Sequence, residues 1–364
     1  MILDKNTKTI CLILPTLQAG GMERVMVQLA NYFVSIQYIT VHLILFNGNS
    51  KLFYNVDSKV NVHTRNKSNE NKLVKFLKTI SFIRNSINEI NPDAVLSFGT
   101  HWNNLVLLAL MGTKHKVFIS DRGSPTRKYE FPQMLLRRIL YPSSKGVIAQ
   151  TRVSSVLTKK IFPNLPIVTI GNPITTNLKN NGSHNKENII LSVGRLITSK
   201  HHDRLISIFC KLNIDNWKLI IVGGNSLKQN NYEKLEQLII NNNLENKVIL
   251  AGTQKNVQTY YNKSKIFAFT SSLEGFPNVI GEALSAGLPV VSYDCVAGPS
   301  DMIEDDENGF LVPVFDDELF QQRLQTLIEN EELRTEMGKN AKESMKRFSV
   351  ETIGDKYLNF ILKE

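Results

Sequence analysis

Ile266-Phe-Ala-Phe-Thr270-Ser-Ser272-Leu-Glu274-Gly-Phe-Pro277-Asn-Val-Ile-Gly-Glu282-Ala-Leu284 is the stretch on which the fold turns. An apolar run closes in Ser271 and Ser272, Gly275 frees the turn, and Pro277 fits a first helical position, where its missing N–H costs nothing. This predicts a buried strand, a short loop and a helix. The helix start offers the backbone N–H groups of Phe276, Asn278 and Val279 at the positive end of a dipole, a ready anion site. Two carboxylates flank it, Glu274 in the loop and Glu282 inside the helix. Neither suits an anion; both suit the hydroxyls of a sugar or ribose attached to one. Taken together the features describe a nucleotide-sugar pocket, although either glutamate alone reads more readily as a solvated surface carboxylate.

The same strand-to-helix alternation runs outward through the chain. In the first half, buried-strand runs fall at Thr9–Pro15, Ile39–Asn47, Val60–His63, Ala94–Phe98, Lys116–Ser120, Gly146–Gln150 and Ile167–Ile170. Helical patterns such as Met22–Ser35, Lys72–Ile90 and Asn103–Met111 separate them. In the second half the runs are Asn188–Val193, Trp217–Val222, Val248–Ala251, Ile266–Thr270, Pro289–Tyr293 and Phe310–Val312, and a helical tail from Asp317 breaks near Asn330 and Ser349. Continuous apolar strands between helices mean parallel sheets covered on both faces. The expected fold class is α/β, two Rossmann-like doubly wound domains facing across a cleft. The first spans residues 1–172 and the second 188–348, with a polar linker at 173–187 and a last helix, 349–364, assigned to the first domain.

At 364 residues, with 42% apolar side chains, the chain holds material for two cores. No apolar run is long enough to span a bilayer, and a strand begins too early for a signal peptide's apolar segment. Cys11, Cys210 and Cys295 lie in apolar runs without metal-ligand spacing and read as reduced core residues of a cytoplasmic protein. Charge divides the halves. Through residue 180, 23 Lys and Arg face 8 Asp and Glu, a surplus of 15; the rest has 20 against 25, and the two together give the net +10. Such asymmetry calls for an anionic partner on the first half. Within it, Lys72–Arg84 is a basic amphipathic helix suited to an anionic membrane surface, or else an ordinary crossover helix with wet lysines. Arg137-Arg138 and Lys159-Lys160 add basic-apolar clusters that favour the membrane.

Further candidates sit at the C-terminal ends of predicted strands, the edge where such sheets bind ligands. Gly194 lets the backbone approach a ligand, and Arg195 and Lys200, five apart, can converge on one diphosphate. Gly20-Gly21 offer a parallel feature after the first strand, without the acidic residue a dinucleotide site needs. Asp121-Arg122 follow another strand, as a structural pair or with Arg122 as a phosphate or substrate contact. His101 lies in a further strand-to-helix loop. There is no Asp-x-Asp at a strand end to hold Mg²⁺ against a diphosphate, so Arg195 and Lys200 supply the neutralising charge and no metal or cofactor is expected.

In this order and spacing, Gly20-Gly21, Gly194-Arg195-(x)4-Lys200 and Glu274-Gly-Phe-Pro-Asn-(x)3-Glu282 resemble glycosyltransferase family 4 over nearly the whole chain. The resemblance implies a GT-B fold, with the last helix crossing back to the first domain, and metal-free transfer from a nucleotide sugar with retention. It implies that Arg195 and Lys200 bind the donor diphosphate, Glu274 the donor sugar and Glu282 the ribose. Backbone from Gly275 and Phe276 through Pro277, Asn278 and Val279 would touch sugar and phosphate, and Gly20-Gly21 would underlie diphosphate and acceptor. Many relatives carry His where this chain has Arg122. The likeness extends to bacterial enzymes that build lipid-linked or surface polysaccharides, so a polyprenyl-diphosphate-linked acceptor and a peripheral place on the inner membrane face are expected, with no nucleic acid. Two other classes share these features: a nucleotide-sugar 2-epimerase, betrayed by isomer without glycoside, and a non-catalytic sugar- or nucleic-acid-binding protein, betrayed by binding without turnover.

Overall fold

The computed structural model describes residues 7–18, 20–48, 53–65, 71–175, 186–226 and 229–363. Most of the expected linker, 176–185, therefore lies outside the described residues, as does Ala19 beside Gly20. The chain divides into two compact units, Met1–Pro173 with Val350–Glu364, and Ile174–Ser349.

The first unit runs β1 (Lys8–Leu14), α1 (Gly21–Ser35), β2 (Ile39–Leu45), β3 (Asn61–Thr64), α2 (Lys72–Ile90), β4 (Ala94–Phe98) and α3 (Thr100–Ala109). It continues through β5 (Val117–Ser120), α4 (Phe131–Leu140), β6 (Gly146–Ala149), α5 (Arg152–Ile161) and β7 (Ile167–Thr169). Its seven strands lie in the order β3-β2-β1-β4-β5-β6-β7, and every pairing is parallel. The second unit has β8 (Ile189–Val193), α6 (His202–Cys210), β9 (Lys218–Val222), α7 (Tyr232–Asn241), β10 (Val248–Gly252), α8 (Gln258–Lys263) and β11 (Ile266–Phe269). Then follow α9 (Asn278–Ser285), β12 (Val290–Tyr293), α10 (Pro299–Met302), β13 (Gly309–Val312), α11 (Asp317–Glu329) and α12 (Glu331–Ser344). Its six strands lie in the order β10-β9-β8-β11-β12-β13, again all parallel. The last helix, α13 (Val350–Ile361), belongs to the first unit.

These strands form because β-branched and aliphatic runs fill both faces of a covered sheet. Ile10 to Leu14 and Ala94 to Phe98 are wholly or almost wholly buried, as are Ile189 to Leu191 and Ile266 to Phe269. In each unit the strand order reverses once, at β1/β4 and at β8/β11. Loops diverge at such a point and leave a crevice at the C-terminal edge. The breaks expected near Asn330 and Ser349 are present: the Asn330 side chain caps α12 by accepting from Leu333 N–H, and Ser349 precedes α13. α13 docks on its own unit through buried Ile353, Tyr357 and Ile361, and Tyr32 Oη on α1 donates to Asp355 at 2.6 Å. One expectation fails. Cys11 and Cys295 are buried, but Cys210, the last residue of α6, is exposed, because the helix turns its buried stripe of Leu205, Ile206, Ile208 and Phe209 away from it. Among the described residues no helix is long and apolar enough to cross a membrane.

Candidate functional site

In the second unit the crevice between β8 and β11 gathers the predicted residues. The loop after β8 is fixed from both sides. Gly194 N–H donates to Val222 O and Leu196 N–H to Gly224 O, both at 2.9 Å, tying it to the end of β9. On the other side the hydroxyl residues ending β11 stitch to it: Ser272 N–H and Ser271 Oγ donate to Ser199 O at 2.9 and 3.1 Å, and Thr270 Oγ1 donates to Lys200 O at 2.8 Å. His201 Nε2 shares a 2.8 Å hydrogen bond with Ser272 Oγ. The two loops therefore behave as one body, and its product is an ion pair.

Lys200 Nζ donates to Glu274 Oε1 at 2.5 Å, both side chains about six-sevenths buried. Lys200 also lies 5.0 Å above the Phe269 ring, within cation–π range. Arg195, in the same loop as Lys200, is exposed. Glu282, inside α9, accepts from Tyr261 Oη at 3.0 Å, and Tyr261 on α8 is buried. Pro277 is the residue before α9 rather than its first helical one; the helix proper begins at Asn278 and has no side-chain cap. Its entry is tightened by Ile280 N–H donating to Pro277 O at 2.9 Å, and Phe276 is anchored on Phe348, ring centroids 5.8 Å apart. A helix start without a side-chain cap, four residues after the Glu274 of a Lys–Glu pair and in the same helix as a tyrosine-held Glu282, supplies groups for an anion and for hydroxyls.

The pattern missed two neighbours. His202, the first residue of α6, is buried against Gly194, and neither ring nitrogen has a partner of hydrogen-bond geometry. Burial and the nearby Lys200 ammonium push its pKa down to about 4, the Gly194 and Arg195 backbone opposing, so the ring is neutral. Cys295 stands close enough to Glu274 that the carboxylate, after burial itself, helps push its thiol up to about 12. A single His or Cys with no partner at ligand spacing gives no signal in the sequence.

In the first unit Gly20 precedes α1, and Tyr54 clamps it: Gly20 N–H donates to Tyr54 Oη at 3.1 Å and Tyr54 Oη donates to Gly20 O at 2.8 Å. Gly21 is exposed at the first turn, and the half-buried Glu23 carboxyl is raised above the usual range by burial, its own backbone hydrogen bond opposing. His101 is not in a loop; it is in the first turn of α3, exposed and edge-on to Trp102 at 4.7 Å. Asp121 does not pair with Arg122. Its carboxylate accepts from Thr100 Oγ1 at 2.8 Å, Asn103 Nδ2 at 3.2 Å, Tyr141 Oη at 2.5 Å and Arg137 Nη2 at 3.0 Å, a fully answered charge with a structural role. Arg122 instead lies 3.6 Å over the Phe98 ring and donates from Nη1 to Tyr357 Oη at 3.4 Å, while its Nη2 is buried without a partner. Burial lowers its pKa, with Tyr357 acting in the opposite direction. Among the described residues no three His, Cys, Asp or Glu side chains gather as metal ligands would.

Comparison with known proteins bears on this geometry. The family described as glycosyl transferases group 1 matches residues 173–344. An N-acetylgalactosamine-N,N'-diacetylbacillosaminyl-diphospho-undecaprenol 4-alpha-N-acetylgalactosaminyltransferase of Campylobacter jejuni is 30% identical, the alignment covering 95% of this chain and 97% of that protein. The amylovoran biosynthesis glycosyltransferase AmsD of Erwinia amylovora is 28% identical, over 93% of this chain and 95% of its own. Among solved structures, the Anabaena protein HepE in complex with UDP superposes with a TM-score of 0.79 at 19% identity, covering 97% of this chain and 99% of that one.

Proposed function

We propose, for a chain that belongs to the group 1 glycosyl transferases and is an enzyme of the hexosyltransferase class, that it moves a sugar from a UDP-sugar, with retention and without a metal, to a polyprenyl-diphosphate-linked glycan. The observation that carries this reading is the buried Lys200–Glu274 pair joining the loop after β8 to the loop after β11, the loops that also carry Arg195 and lead into α9 with Glu282. The membership assigned is family 4. UDP follows the bound nucleotide of the Anabaena neighbour, and the lipid-linked acceptor follows the name of the Campylobacter relative.

In the transition state positive character grows on the sugar ring and negative charge on the departing nucleoside diphosphate. Lys200, Arg195 and the start of α9 stabilise that leaving group, an electrostatic contribution of about 3–4 kcal/mol for a single well-placed donor. Glu274 orients the sugar hydroxyls and Glu282 the ribose. Glu274 holds Lys200 in place; with donor bound, Lys200 turns its charge to the phosphate and Glu274 to the sugar. Retention then comes from front-face attack, the leaving phosphate oxygen accepting the acceptor's proton as the new C–O bond forms and the old one breaks. Gly20 and Gly21 line the diphosphate and acceptor side, and Arg122 contacts substrate. The work is done at the inner face of the cytoplasmic membrane, with the Lys72–Arg84 helix on anionic lipid.

The test is a panel of radiolabelled nucleotide sugars scored for glycoside, isomer and slow hydrolysis. Glu274→Gln and Lys200→Ala should each lower kcat/KM at least about 100-fold with folding retained. Near-wild-type transfer in either variant sinks the assignment, isomer without glycoside replaces it with an epimerase, and loss of activity in excess EDTA overturns the metal-free reading.

A further inference from the structure

We propose that the groove between α2, α3 and α4 of the first unit seats the hydrocarbon chain of a lipid-linked diphosphate, one molecule at a time, as the anchoring subsite for the acceptor. This rests on the acceptor class given above and names where its lipid goes.

The groove encloses about 550 Å³, within the roughly 300–1,000 Å³ of small-ligand sites. Its walls are Phe76, Trp102, Leu105, Leu108, Leu136 and Leu140. The helices that form it also expose apolar side chains that a water-facing helix would not: Leu73 is 67% and Leu77 55% exposed on α2, and Phe131 is 72% and Ile139 62% exposed on α4. Apolar surface this extensive marks a binding face. The polar lining has the complementary chemistry for an anionic head, with Lys72, Lys75 and His101 against one carboxylate, Glu130. Buried Asn104 adds an acceptor, since its Oδ1 has no partner, and a sugar hydroxyl on the same ligand would answer it. His101 stands one turn from the C-terminal end of β4, so one end of the groove reaches the ligand edge of the sheet.

Charge decides among the possible occupants. A second copy would bring Lys72, Lys75 and Arg138 against their like, in the half of the chain that carries a surplus of 15 cations. Flat bilayer lipid would cover the exposed ridges of α2 and α4 but has no reason to need a concave slot with an unanswered amide. A single chain carrying a diphosphate and a sugar satisfies the cations, the slot and the amide.

Trp102 is in the groove wall and the other tryptophan, Trp217, is buried in the second unit's core, so intrinsic fluorescence reports the groove. The experiment titrates the full chain with farnesyl diphosphate, farnesol, inorganic diphosphate and phosphatidylglycerol vesicles. Farnesyl diphosphate should give a saturable shift with half-saturation at or below about 100 µM, the scale of a single lipid chain on an apolar surface. Inorganic diphosphate should give none, and Leu136→Glu and Phe76→Glu, both at exposed positions that tolerate charge, should raise the half-saturation at least tenfold. In transfer assays the same variants should raise KM at least tenfold for a long-chain acceptor and leave a short-chain one unchanged. No farnesyl diphosphate response, an equal response in Leu136→Glu, an equal response to vesicles alone, or a dimer abolished by Leu136→Glu in place of lipid binding each overturns the inference. If lipid binds as described but no donor is transferred, the groove stands and the proposed function fails; if transfer proceeds with KM indifferent to chain length, the reverse holds.

Discussion

Gly223→Ala is the sharpest test of how the site is held. Gly223 has φ +153°, and a Cβ there would stand 2.7 Å from the Gly194 carbonyl carbon and closer still to its oxygen. Carbon contacts are comfortable at about 3.5–4.0 Å, so the Gly194–Arg195 backbone must move by about 1 Å. It has little freedom to do so, because Gly194 N–H and Leu196 N–H are both committed to the end of β9. The cost adds a Gly-only backbone conformation, about 1–3 kcal/mol, to overpacking against backbone, about 1–3 kcal/mol, giving roughly 2–6 kcal/mol. In a unit of this size each kcal/mol lowers Tm by about 2–4 °C. Scanning calorimetry of the full chain should show one transition falling by roughly 4–24 °C, and residual transfer should drop about 100-fold from misplacement of the loop that carries Arg195 and Lys200. Gly252→Ala is the control: its φ is +66° but a Cβ there meets nothing within 4 Å, so only the left-handed penalty of about 1–2 kcal/mol applies. If Gly223→Ala costs no more than Gly252→Ala and transfers normally, the backbone-to-backbone account of the site is wrong.

Three further outcomes follow from the same geometry. Buried His202 has its pKa pushed down to about 4, so it is neutral in both states above about pH 6.5; below that the unfolded chain takes up a proton that the folded site refuses, and stability falls until about pH 4. The loss is about 3 kcal/mol between pH 7 and 4, read by denaturant unfolding, and His202→Leu should flatten the curve by that amount; an unchanged slope refutes it. Tyr261→Phe removes the hydroxyl that holds Glu282 and should raise donor KM about five- to thirtyfold with kcat nearly unchanged, whereas an effect on kcat alone contradicts a donor-binding role. Arg122→Met replaces a buried, incompletely answered cation with an apolar side chain, so stability should stay within about 1 kcal/mol of wild type while transfer falls. Unaltered transfer would leave Arg122 with only its packing on Phe98 and Tyr357.

Much of the fold was readable from local pattern. Ala94–Phe98 and Lys72–Ile90 have the predicted bounds, and the other described strands differ by a residue or two at their ends. At the C-terminal ends of β2 and β11 the predicted runs carry on past the strand, to Asn47 and Thr270, because the residues there stay buried or extended after the strand itself has ended. His101 was misplaced because Gly99, not a polar cap, opens α3, and so the helix begins before the apolar period becomes visible. Adjacency in the chain suggests a pair of Asp121 and Arg122, but neighbouring side chains point apart, and the cation that answers Asp121 comes from α4.

The amino-acid sequence by itself determined two parallel-sheet units, the edges at which ligands bind and the residue types available there, because these depend on hydrophobic runs, glycine turns and helix starts that operate over a few residues. Only the tertiary structure decided the partnerships. Lys200 meets Glu274 across 74 positions because Thr270, Ser271 and Ser272 tie one loop to the other; Tyr261 finds Glu282 from a separate helix. The physical reason is that a charge's role is set by what surrounds it within about 4 Å, and at a switch point those surroundings come from strands adjacent in the sheet but far apart in the chain.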